Sequence, residues 1–106
     1  MKWFDVCSAD ELLPERGACV LVAGRQVAVF LVGEELYAVG NHDPFSGANV
    51  IARGIVGSKG DTPKVASPMF KQSFDLRTGR CLDDPAVALP TYEVRARGGR
   101  VEVAVS

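Results

Sequence analysis

Short apolar runs closed by glycine turns leave this chain almost no room for helix. The pattern is sharpest at the end, where TYEVRAR and RVEVAVS flank Gly98-Gly99. At a strand period of two, Val101, Val103 and Val105 share one face, and Arg100 and Glu102 face water. Val94 and Ala96 share a face of the preceding run. The glycine pair supplies the positive φ values of a type I′ hairpin turn. Upstream, ACVLVA (Ala18–Ala23) and QVAVFLV (Gln26–Val32) are apolar on consecutive residues, which predicts strands covered on both faces. Gly24-Arg25 between them suits a type II′ turn, and Gly33–Glu35 turns the chain into LYAVG (Leu36–Gly40). KWFDV (Lys2–Val6) reads as a first strand with Trp3 and Phe4 on opposite faces. The one helix start is Ser8, with Glu11 three residues on and Leu12 and Leu13 as an apolar edge. Pro14 ends it after about one turn. The expected class is all-β: an antiparallel barrel or sandwich with a short N-terminal helical turn and two long loops.

A chain of 106 residues predicts a single domain, residues 1–106, around one core. Charged residues make up 24% and the net charge is −1, with no basic stripe, so nucleic acid is not an expected partner. The longest apolar run, VAVFLV, is strand-sized and too short to cross a bilayer. The opening MKWFDVCSADELLPE has one Lys followed by acidic and polar residues, unlike a signal peptide. The expected location is the cytoplasm, with no membrane partner. Cys7, Cys19 and Cys81 are odd in number and widely spaced. That favours three small buried hydrophobes over a disulfide framework. A zinc site from these and His42 would lack the usual Cys-x-x-Cys pair.

Two segments break the strand pattern. From Asn41 to Thr62, Gly, Asn, Pro, Asp and Ser dominate, and only NVIARGIV offers a short strand or turn. A loop this long in so small a domain is usually functional. PKVAS (Pro63–Ser67) resumes a strand, then SPMFKQ leads into QSFDL (Gln72–Leu76), the Arg77-Thr78-Gly79 turn and RCL (Arg80–Leu82). DDPAVALP (Asp83–Pro90) is the second such irregular segment. Asp83 and Asp84 could form a metal or acid–base dyad, but Asp-Asp-Pro is more often a solvated turn. GSKGD (Gly57–Asp61) has no Walker pattern and no helix after it, which argues against phosphate binding. His42 is the only histidine, without an obvious acid–base partner.

YAVGNHDPFSGANVIARG, followed by ASPMFKQSFDLRTGRCLDDPAVALPTYEVRARGGRVEV, resembles a Rieske ferredoxin domain over roughly the last two thirds of the chain. The resemblance implies Cys-x-His in the first loop and Cys-x-x-His in the second. Here those positions carry Asp43 and Phe45, then Ser67 and Phe70, while Pro44 and Pro68 are retained. A Rieske cluster takes two thiolates on one iron and two imidazoles on the other. One histidine, and no cysteine in either loop, cannot supply them. DPFSGA and KVASP with FDLRTGRCLDDP are more specific. They resemble the small subunit of bacterial assimilatory NAD(P)H nitrite reductase, a Rieske-like family without the cluster. The resemblance implies an all-β Rieske-like fold and no metal or cofactor in this chain. It also implies a large-subunit partner carrying FAD, an iron–sulfur cluster and sirohaem, which reduces nitrite to ammonium with NAD(P)H.

On that reading the space left by a cluster is refilled by Phe45 and Phe70, near each other beneath the loop tips. Asp43 and Ser67 hydrogen-bond loop amides, and Met69 lies exposed between the inward positions. His42, Phe45, Met69 and Phe70 are the candidate partner-binding residues, and no catalytic residue is expected. The alternatives are a free-standing domain that binds a protein or small ligand, and a redox enzyme using an exposed, activated cysteine.

Overall fold

The computed structural model describes residues 1–105. Nine strands form among them: β1 (Lys2–Ser8), β2 (Gly17–Val22), β3 (Arg25–Val32), β4 (Glu35–Gly40), β5 (Ile55–Lys59), β6 (Thr62–Ala66), β7 (Ser73–Asp75), β8 (Thr91–Arg97) and β9 (Arg100–Val105). A six-stranded sheet runs in the order β1-β9-β8-β4-β3-β2, and a three-stranded sheet in the order β5-β6-β7. Every strand pairing within the sheets is antiparallel. This is the all-β architecture that the alternation and glycine turns predict.

Two apolar cores lie on opposite faces of β3. Val27 and Val29 join Val22, Ala38, Val101, Val103 and Val105 in the first. Ala28 and Phe30 join Val39, Ile51, Val65, Phe74, Leu76 and Cys81 in the second, against the small sheet. The four consecutive residues Val27–Phe30 are each 0% exposed, so this one strand walls both cores. Complete burial of a side chain such as Phe30 is worth about 1.5–3 kcal/mol. The expectation of two covered faces holds for β3.

It does not hold for β2. This strand lies at the sheet edge, with Ala18, Val20 and Val22 facing the first core. Leu21 on its other face is 73% exposed, and Cys19 is also exposed. The β2–β3 turn differs too: Val22 pairs with Arg25, which leaves Ala23-Gly24 as the loop. Their φ values of +50° and +79° are both positive, as a type I′ turn requires and a type II′ turn does not. Gly98 and Gly99, at +59° and +78°, form the expected type I′ pair.

The helix start becomes a short 3-10 turn, Ala9–Glu11, with the Ser8 hydroxyl accepting the Asp10 N–H at 3.4 Å. Leu12 enters the first core, whereas Leu13 is exposed. In the long Asn41–Thr62 segment, NVIARGIV contains the turn Ile51–Arg53 and the start of β5. GSKGD is the end of the β5–β6 hairpin, where Lys59 pairs with Thr62. Among the described residues, no helix is long and apolar enough to cross a membrane.

Candidate functional site at the loop pair

The first loop leaves β4 at Gly40 and closes on itself through a bridge between His42 and Asn49. Asn41, only 3% exposed, anchors its base. Its Nδ2 donates to Gln26 Oε1 and to the Asn49 carbonyl, both at 3.1 Å, and its Oδ1 accepts the Ala52 N–H at 2.7 Å. His42 is exposed, with Nδ1 3.0 Å from Asn49 Oδ1, so it both faces water and braces the loop. The second loop links β6 to β7. The Ser67 N–H donates to the Gln72 carbonyl at 2.9 Å, and the Lys71 N–H to the Ser67 carbonyl at 3.0 Å. Lys71 takes a left-handed φ of +64° to allow this.

Asp43 and Ser67, 0% and 1% exposed, meet between the loops. The Ser67 hydroxyl donates to Asp43 Oδ2 at 2.5 Å and accepts the Met69 N–H at 3.3 Å. Asp43 also accepts the Phe45 N–H and the Ser46 hydroxyl, each at 2.9 Å. The expectation that these residues bond loop amides is met, but their principal partner is each other. Burial pushes the Asp43 carboxyl up. The hydrogen bonds from Ser67, the Phe45 amide and Ser46 outweigh it, and hold the group below the ordinary Asp value. Among the described residues no basic side chain forms a salt bridge to it.

The two phenylalanines behave differently from expectation. Phe45 is half-buried and packs on the second core, its ring 6.1 Å from that of Phe74 at 45°. Phe70 is 60% exposed and points out of the molecule, so it does not fill space beneath the tips. The Asp43–Ser67 bond and the Phe45–Phe74 contact hold the loops in its stead. Met69 is exposed, as expected, at 50%. Pro44, Pro68, Met69 and Phe70 therefore stand out together as exposed apolar residues at the tips of both loops.

The two Asp residues after β7 take separate partners: Asp83 ties its loop back to β7, and Asp84 caps a local turn. Asp83 Oδ2 accepts the Ser73 N–H at 2.8 Å, and Asp84 Oδ1 accepts the Ala86 N–H at 3.1 Å. Cys7 and Cys81 are buried, as expected; Cys19 is not. Burial, with help from the Glu11 and Asp5 charges, pushes the Cys7 thiol up. Cys19 Sγ accepts from Asn41 Nδ2 at 3.4 Å. Asn41 and Ser46 were not singled out by sequence reasoning. The signal for Ser46 is its place three residues after a turn-starting Asp-Pro; for Asn41 there is no local signal.

The four positions that the family resemblance assigns to ligands offer a carboxylate, a hydroxyl and two phenyl rings. The carboxylate and hydroxyl are spent on one another. These residues do not fit a set of two thiolates and two imidazoles. Among the described residues, no group of three or more His, Cys, Asp or Glu is placed to hold a metal ion.

Nine antiparallel strands, two cores and a loop pair at one end define a Rieske-type domain. The chain belongs to the Rieske-like [2Fe-2S] domain family, whose model matches residues 2–104. It is 36% identical over 104 residues to the NADH nitrite reductase small subunit of Escherichia coli K12, covering 96% of each chain. It superposes on a crystal structure assigned to an NADH-dependent nitrite reductase small subunit from Mycobacterium tuberculosis. The TM-score is 0.95 with 48% identity, over 99% of this chain and 96% of that one. A NAD(P)H nitrite reductase large subunit from Klebsiella oxytoca contains a segment 37% identical over 101 residues, 95% of this chain and 11% of that protein.

Proposed function

We propose that this chain is the small subunit of an assimilatory NAD(P)H nitrite reductase of the cytoplasm, binds no Rieske cluster, and acts by contact with the catalytic large subunit. The large subunit carries FAD, an iron–sulfur cluster and sirohaem, and there nitrite is reduced to ammonium by six electrons. This chain supplies a rigid surface and no reacting group. The full-length similarity to small subunits supports the assignment. The Klebsiella oxytoca large subunit supports the partnership, since a similar segment shares one polypeptide with it.

The observation that carries the contact reading is the exposed apolar tip. Met69 and Phe70 stand in solvent on a loop fixed by buried hydrogen bonds. Large exposed aromatic and Met side chains on a rigid support are typical interface anchors. On the first loop, Phe45 packs inward on Phe74 and His42 is exposed.

The experiment is reconstitution. The purified chain should contain no iron and show no visible absorption. It should restore nitrite reduction only when mixed with the large chain. Stoichiometric iron in the freshly isolated protein would overturn the cluster-free reading. Failure to recover a flavin- and sirohaem-containing chain in a pull-down from nitrate-grown cells would favour a free-standing binding domain.

A further inference from the structure

We propose that the Asp43–Ser67 hydrogen bond is a metal-free clasp, which couples the two loops so that neither rearranges alone. Both residues are positioning residues for the apolar tip. In a cluster-bearing Rieske domain, iron ligated from both loops is a cross-link between them. Here the first ligand position of each loop is filled by one half of a hydrogen bond.

Three observations support coupling over mere packing. Among the described residues, the pair is the only side chain–side chain hydrogen bond that joins the first loop to the second. Each member also holds its own loop: Asp43 takes the Phe45 N–H and Ser46 hydroxyl, and Ser67 takes the Met69 N–H. The carboxylate is fully buried, so it has no solvent to fall back on if Ser67 withdraws. The chain of bonds therefore runs from Phe45 through Asp43 and Ser67 to Met69, across 24 residues of sequence. An ionised acceptor strengthens it. That the tip so fixed meets the large subunit rests on the contact reading above.

The test is residue-resolved amide exchange on the full chain. Ser67→Ala should speed exchange at first-loop amides such as Phe45 and Gly47, and Asp43→Asn should do the same at Met69 and Lys71. The change should be roughly tenfold or more, the scale of losing a hydrogen bond to a charged group. At each amide the double variant should be no faster than the faster of the two single ones, because the bond between the loops is one bond lost either way. Changes confined to the substituted loop, or multiplying in the double variant, would overturn the clasp. If Asp43→Asn does not fold, Ser67→Ala read at the first loop decides alone. The docking reading is checked apart: Phe70→Ala should weaken binding to the large subunit by at least about tenfold, as truncation of an interface anchor does. Unchanged binding there, with coupled loops, removes the docking role and leaves the clasp.

Discussion

Asp43 holds a buried negative charge on hydrogen-bond donors alone, and that makes it sensitive to acid. Its pKa is lowered on folding, so its stabilising contribution is full above the unfolded Asp value of about 3.9 and fades as pH falls through the folded value. Urea unfolding at a series of pH values should show the chain weakening below about pH 4, with the drop shallower in Asp43→Asn. At pH 7 that variant should lose about 1–3 kcal/mol, the usual cost of disrupting a buried charged hydrogen bond. A second expectation concerns the thiols. In the folded chain Cys19 should react quickly with an alkylating reagent, and Cys7 and Cys81 only after denaturation, counted by intact mass. The sequence made Asp43 readable as a turn-starter because Asp-Pro has a local meaning. It did not make the outward direction of Phe70 readable, because local pattern says nothing about which way a loop side chain points. It pointed to a buried Cys19, wrongly, for a related reason: exposure there depends on β2 being an edge.

At the level of the strands and turns, the hairpins were legible wherever glycine and alternation agreed, as at Gly98-Gly99 and β9. They were misread where a non-glycine residue took the unusual backbone. Ala23 sits at φ +50° in the β2–β3 turn, an uncommon conformation for a residue with a Cβ. Ala23→Gly should raise stability by up to about 1 kcal/mol, seen as a higher urea midpoint at constant slope. Gly79 is the opposite case. Its φ is +78°, and a Cβ added there would meet the Leu89 carbonyl oxygen. Gly79→Ala should cost about 2–4 kcal/mol, by left-handed strain and overpacking together. The β5 strand was the least legible element. Its only large apolar residues, Ile55 and Val56, are adjacent and are followed by GSKGD, so no alternating apolar face announced it, and Ile55 is 71% exposed. Its pairing with β6 supplies the missing information, and that is a tertiary fact.

Across the whole molecule, the class of fold was readable from pattern, whereas the partition of the apolar residues into two cores was not. A single core was the expectation from length. The run Val27–Phe30 looks uniform in sequence because alternate residues serve different layers, and uniformity hides which layer each one serves. That arrangement has a thermodynamic corollary. The large and small sheets share a partition, so neither can melt and leave the other hydrated on one side only. Scanning calorimetry should record one endotherm with matching calorimetric and van't Hoff enthalpies, despite the molecule's two layers. For a subunit whose usefulness depends on shape, an all-or-none transition means that partly melted forms with a distorted tip stay rare.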